Sequence, residues 1–249
     1  MGKSGTSGSH AVCIIGVDLA WGDRKSDGVC AIEYSPGGSR VTGFAYPQGD
    51  VEFLDVVRAS SAGYRQVFIT VDAPIVCPNR TGTRPVDRLT HRMFHREHAA
   101  CHPANSTKCP RPPRIRRKLM RLGFQTGWDL RASTKLVAEV YPHPAMVRMF
   151  RLQRIVKYKK GTVAERSIEF ARLQRLCLRL VKHDFPELVL TAEVLEYLRR
   201  PWSKRVEDHV DAFFCALIGL WHVSHRGHHS EIIGDLKTGF ILLPQAYAL

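Results

Sequence analysis

Short, continuous apolar runs alternate with longer stretches of helical spacing along this chain of 249 residues. Cys13, Ile14, Ile15, Gly16 and Val17 form a run too short for a helix and without polar alternation, the pattern of a strand covered on both faces. It ends on Asp18. Gly22 and Gly28 let the chain turn, and residues 28–34 read as a second strand. After Pro36-Gly37-Gly38, residues 40–46 read as a third, giving a hairpin or meander. Val51, Phe53, Leu54, Val56 and Val57 repeat at helical spacing up to Ala62-Gly63. Residues 66–71 are another buried strand, and it too stops at an acid, Asp72. Residues 136–141 give a fifth, halted by Pro142 and Pro144. Helices are expected from Ala145, over 162–182 with an apolar stripe of Leu173, Leu176, Cys177, Leu180 and Val181, over 194–198, and over the strongly apolar stretch 206–224. Residues 232–234 and 239–243 read as closing strands or extended segments.

Residues 75–135 break this rhythm. Pro, Gly and Arg are frequent and apolar runs are few, although 85–98 has the length and spacing of a helix. This part reads as a basic helical insertion or lid on a single domain spanning 12–249. The Gly/Ser-rich stretch within 1–11 reads as a flexible tail.

The acids define the candidate chemistry. A carboxylate at the end of a buried strand needs a cation or a set of donors. If the strands of Asp18 and Asp72 are parallel neighbours, both acids lie at the carboxyl ends of the strands, where open α/β sheets bind ligands. Asp208 and Asp211, three apart, share a face at the start of the 206–224 helix. A helix start favours such acids by itself. The small residues Ala212, Cys215, Ala216 and Gly219 on that face instead let the helix approach a sheet and turn Asp211 into its end. Four carboxylates in one place would repel unless cations were bound. Mg²⁺ or Mn²⁺ takes such oxygen ligands, and a pair of ions about 4 Å apart serves phosphodiester hydrolysis.

Charge agrees with a phosphate-bearing partner. There are 37 Lys and Arg against 23 Asp and Glu, a net charge of +14, so polyanions would be drawn to the surface. Lys108, Arg111, Arg114, Arg116, Arg117, Lys118 and Arg121, together with Lys157, Lys159 and Lys160, are the candidates for sequence-independent backbone contacts. Trp21 could stack on a base. The seven scattered cysteines argue against a disulfide framework and for a reducing, cytoplasmic setting. No apolar stretch reaches the roughly 20 residues of a membrane span. His91, His95 and His98 share a helical face ahead of Cys101, His102 and Cys109, a zinc-like assortment. Without a tight Cys pair, solvated or phosphate-facing histidines are the expectation. His143 either caps a turn or serves a proton-transfer or supporting role.

The order strand-Asp, hairpin, helix, strand-Asp and a late helix bearing an Asp pair resembles the RNase H-like superfamily, especially its Holliday-junction-resolvase branch. The motifs GVDLAWG, VDAP, EVYPHPA and EDHVDAFFCAL are similar to those of domain of unknown function 429, described as predicted RNase H-like nucleases. The resemblance covers roughly 12–244. It implies an α/β fold with a mixed five-stranded sheet flanked by helices, and a metal site of Asp18, Asp72, Asp208 and Asp211, joined or oriented by Glu139. The expected activity is metal-dependent cleavage of DNA or RNA, with Asp18 bridging two ions. A non-catalytic nucleic-acid-binding module is the main rival. An ATP-dependent phosphotransferase is the lesser one, since the chain has one core and no Gly-rich phosphate loop.

Overall fold

A computed structural model describes residues 11–245; all but one residue of the expected flexible tail lies outside that range. The first strand, β1 (Val12–Asp18), is the axis of the sheet. It pairs antiparallel with β2 (Gly28–Ser35) and parallel with β4 (Gln66–Val71). β3 (Gly38–Ala45) continues the meander, and β6 (Lys135–Glu139) adds in parallel beyond β4. Two further strands, β5 (Gln125–Thr126) and β7 (Leu188–Val189), cover the edges. The sheet therefore has seven strands, in the order β5-β6-β4-β1-β2-β3-β7, and not the five expected. The additions are two residues long, too short to leave a periodic pattern. β8 (Ser230–Asp235) and β9 (Gly239–Pro244) form a separate hairpin that touches the main sheet through the bridge Val140–Leu242.

The helices are α1 (Gly49–Ser61), α2 (Pro85–Phe94), α3 (Arg111–Arg121), α4 (Pro142–Met149), α5 (Val163–Asp184), α6 (Ala192–Leu198) and α7 (Lys204–Ser224). Thr162 starts α5 with a capping box closed by Glu165. Every residue of α7 from Val206 to Val223 is buried. A helix apolar on nearly all sides must be covered all round, and α7 lies between the sheet face of β1, β2 and β4 and the outer elements α4, α5, α6 and β9. Residues 75–135 share this core: Ile75, Val86, Ile115 and Leu119 are fully buried in the same cluster as Ile14 and Phe68. All seven cysteines are free. Among the described residues no helix is long and apolar enough to cross a membrane.

Two glycines set how closely α7 meets the sheet. A Cβ on Gly16 would stand 2.1 Å from the Ala212 carbonyl oxygen, and one on Gly28 would stand 2.0 Å from that of Asp208. Backbone lies against backbone, and Thr70 Oγ1 adds a 2.8 Å hydrogen bond to the Cys215 carbonyl. No flexible side chain is present to yield, so overpacking here is severe. Gly16→Ala is expected to cost about 3 kcal/mol or more in urea denaturation. Gly43→Ala, whose Cβ meets nothing within 4 Å, should be neutral or slightly stabilising. Equal stability of the two variants would refute this account of the interface.

Candidate metal centre

Asp18 is the last residue of β1, and the amide of Asp72 donates to the Val17 carbonyl at 2.8 Å. Parallel pairing therefore runs to the strand ends and sets the two acids side by side at one sheet edge. The pair on α7 arrives from the other side. Ser203 caps that helix and it begins at Lys204, so Asp208 and Asp211 lie deeper than an opening turn. The first-turn acid is Glu207, which accepts from Trp202 Nε1 at 2.7 Å and pairs with Lys204 Nζ at 2.8 Å. Asp208 and Asp211 face the sheet instead.

Carboxylate oxygens of Asp18, Asp208 and Asp211 all lie within 4.8 Å of one another. No other group of three or more His, Cys, Asp or Glu among the described residues meets in this way. Asp208 Oδ2 accepts from Tyr46 Oη at 2.8 Å, and its Oδ1 lies 2.6 Å from Lys204 Nζ. Asp211 Oδ1 accepts from Tyr158 Oη at 2.6 Å, and its Oδ2 lies 2.8 Å from Lys159 Nζ. The carboxylates of Asp18 and Asp72 make no hydrogen bond or ion pair among the described residues. Burial, with repulsion from the neighbouring acids, pushes Asp18 well above the usual carboxylate range and Asp72 up to about 7, although the Lys159 ammonium opposes both. Crowded hard oxygen donors, two of them without partners, are the donor chemistry that a divalent cation such as Mg²⁺ or Mn²⁺ satisfies.

Asp18, Asp72 and Asp208 line a cleft of about 670 Å³ with Trp21, Lys25 and His143 on its walls. Tyr141 Oη donates to the Ala100 carbonyl at 3.1 Å, so its 3.1 Å contact with His143 Nδ1 takes the imidazole proton. Burial and the charges of Lys159, His102 and Lys160 lower the His143 pKa to about 3. The ring is thus neutral, with Nε2 as an acceptor.

Several expected site residues go elsewhere. Glu139 does not join the carboxylates: both oxygens are taken by Arg84, Nη1 at 2.8 Å and Nη2 at 2.7 Å. Arg84 also binds Asp87 and the Val76 carbonyl, tying the segment 76–87 to the end of β6. Arg111 is not a surface cation. It is fully buried, donating to both oxygens of Asp27 at 2.6 and 2.7 Å and to Asp50 at 3.0 Å. Arg114 and Lys118 are spent on Asp50, and Arg114 also on Asp23. Arg116 donates to Thr126 Oγ1 at 2.7 Å. Lys159 belongs to the acidic centre. Lys108, Arg117, Arg121, Lys157 and Lys160 remain exposed. His91, His95, His98 and His102 are exposed, while Cys101 and Cys109 are buried, and they form no metal-binding group.

Sequence reasoning missed Tyr46, Tyr158, Lys204 and Asp27. Lys204 is four residues before Asp208, a spacing that signals an ion pair on a helix. Tyr46 and Tyr158 come from distant segments and carry no local signal.

Fold and site together define an α/β protein with a carboxylate centre at the carboxyl edge of a mixed sheet. The chain belongs to the family described as protein of unknown function (DUF429), which matches it over residues 16–237. Comparison with curated proteins and with solved structures gave no match.

The crowding makes a signed prediction. A carboxyl raised above its unfolded value of about 3.9 favours the protonated native state, so its stabilisation is present at low pH and lost as pH climbs to the folded value. For Asp72 that window runs from about pH 4 to about 7. In chelator, Asp72→Asn should match the wild type near pH 4 and melt at progressively higher temperature than it up to about pH 7. A gap that stays constant with pH would refute the crowding.

Proposed function

We propose that this protein is a divalent-cation-dependent nuclease of RNase H-like architecture. Its five longer main-sheet strands run in the order β3-β2-β1-β4-β6, with β2 antiparallel to its neighbours, and the carboxylates gather where β1 and β4 end. This strand order and the position of the acids support the reading. The observation that carries the reading is the meeting of Asp18, Asp208 and Asp211 oxygens within 4.8 Å beside the unpartnered Asp72.

Asp18, Asp72, Asp208 and Asp211 would hold the cation. When bound, it polarises a phosphoryl oxygen and lowers the pKa of a water. Tyr46 and Tyr158 fix the orientations of Asp208 and Asp211 by hydrogen bonds of 2.8 and 2.6 Å. Such supporting partners hold metal ligands in place. His143 Nε2 accepts a hydrogen bond from water or a sugar hydroxyl at the cleft wall. Among the described residues lining the cleft, Lys25 is the lysine with no carboxylate partner and is available to a phosphate, and Trp21 offers a face to a base. Outside the cleft, Lys108, Arg117, Arg121, Lys157 and Lys160 bind the backbone without regard to sequence.

The decisive experiment is incubation of labelled DNA and RNA, linear and branched, with Mg²⁺ or Mn²⁺. Cleavage by the wild type is expected, slowed by more than about 100-fold in Asp18→Asn, since disturbing even a ligand's supporting partner costs 10–100-fold. Equal, salt-sensitive binding by both proteins with cleavage by neither would establish the binding module instead. Salt dependence separates the basic residues. Arg117→Ala should reduce the slope of log K against log salt by about 0.7 to 0.9. Arg114→Ala and Lys118→Ala, on residues already paired with Asp50, should leave the slope unchanged.

A further inference from the structure

Asp211 differs from the other acids in having both oxygens engaged by one short segment. Tyr158 Oη donates to Oδ1 at 2.6 Å and Lys159 Nζ lies 2.8 Å from Oδ2. Tyr158 is itself buried in the core, its ring 6.3 Å from that of Phe170. The backbone that carries Lys159 is therefore pinned beside the acid it neutralises. The ammonium also sits 5.4 Å from the Tyr158 ring centroid, a second favourable contact for a cation.

We propose that Lys159 is a permanent occupant of one of the two cation positions in this carboxylate centre, so that the site takes a single divalent ion, held by Asp18 with Asp208 and Asp72. This rests on the metal-site reading above and narrows it. Two ions need the carboxylate between them free on both sides. Here the Asp211 side is filled by an ammonium that cannot diffuse away, and a second dication there would face a fixed positive charge in a partly desolvated cleft. Asp18 and Asp72 keep their oxygens open. Asp208 is also held by a tyrosine and a lysine, but Lys204 is 56% exposed and free to swing away, against 38% for Lys159. Lys159 is thus a positioning residue. It neutralises Asp211 and fixes the number of ions, and is not a backbone-binding lysine.

The test counts bound Mn²⁺ per full-length chain, by titration calorimetry and by the electron paramagnetic resonance signal of free ion. Wild type should bind one Mn²⁺. Lys159→Arg should also bind one. Lys159→Met, which keeps the stem and removes the charge, should bind two, the added ion taking the place of the ammonium. Circular dichroism melts confirm that each variant is folded, and the Arg variant preserves the test if the Met variant does not fold. Two Mn²⁺ on the wild type, a second ion on Lys159→Arg, none on the wild type, or one on a folded Lys159→Met would each overturn the proposal. The nuclease reading is judged separately. Cleavage with two ions bound would overturn the single-ion proposal alone, and one bound ion with no cleavage of any nucleic acid would overturn the nuclease reading alone.

Discussion

Backbone contact between α7 and the first hairpin is the constraint on which the rest of the structure depends. With no Cβ at Gly16 or Gly28, the Ala212 and Asp208 carbonyls come within what would be 2.1 and 2.0 Å of a side-chain carbon. A conventional helix-on-sheet spacing would hold Asp208 and Asp211 away from the strand ends. At this spacing their oxygens reach Asp18 within 4.8 Å. The same contact buries α7 from Val206 to Val223, and α4, α5 and α6 then follow as its cover.

Burying so many acids requires donors from elsewhere in the chain, and the structure supplies them in units of one aromatic hydroxyl and one ammonium. Tyr46 with Lys204 serves Asp208, and Tyr158 with Lys159 serves Asp211. Further out, two buried arginines do for the loops what these groups do for the site. Arg84 ties Glu139 to Asp87, and Arg111 ties Asp27 to Asp50. Each arginine is matched bidentately, the geometry in which buried charge is tolerable. Losing Arg84 would leave Glu139 and Asp87 without their cation in the interior, and losing Arg111 would do the same to Asp27, while Asp50 keeps Arg114 and Lys118. Part of the +14 charge is accordingly structural, and the surface available to a polyanion is smaller than composition suggests.

Much of the frame was legible along the chain. The apolar runs ending in Asp18 and Asp72, the helical stripe of α5 and the unbroken apolar α7 report their surroundings directly, because periodicity records which faces are covered. The edge strands β5 and β7 escaped because two residues carry no period. Glu139 was misplaced for a related reason. A strand-end acid reads alike whether it meets a cation or an arginine, and Arg84 lies 55 residues away. Arg111 and its neighbours read as a solvated basic run because charge density says nothing about direction. α3 turns Arg111 inward to Asp27 and leaves Arg117 and Arg121 outside.

By itself, then, the sequence determined the α/β class, the strand ends that bear acids, the small-residue face of α7 and the resemblance to domain of unknown function 429, which the family match bears out. These are local properties, set by period, by residue size and by where a polar residue stops an apolar run. The tertiary structure decided which carboxylates meet, which are already neutralised and which cations stay free. Those outcomes depend on contacts such as Tyr46 with Asp208, 162 residues apart, and Tyr158 with Asp211, 53 residues apart. Hydrogen bonding and ion pairing act over a few ångströms in space, and no spacing along the chain encodes that distance.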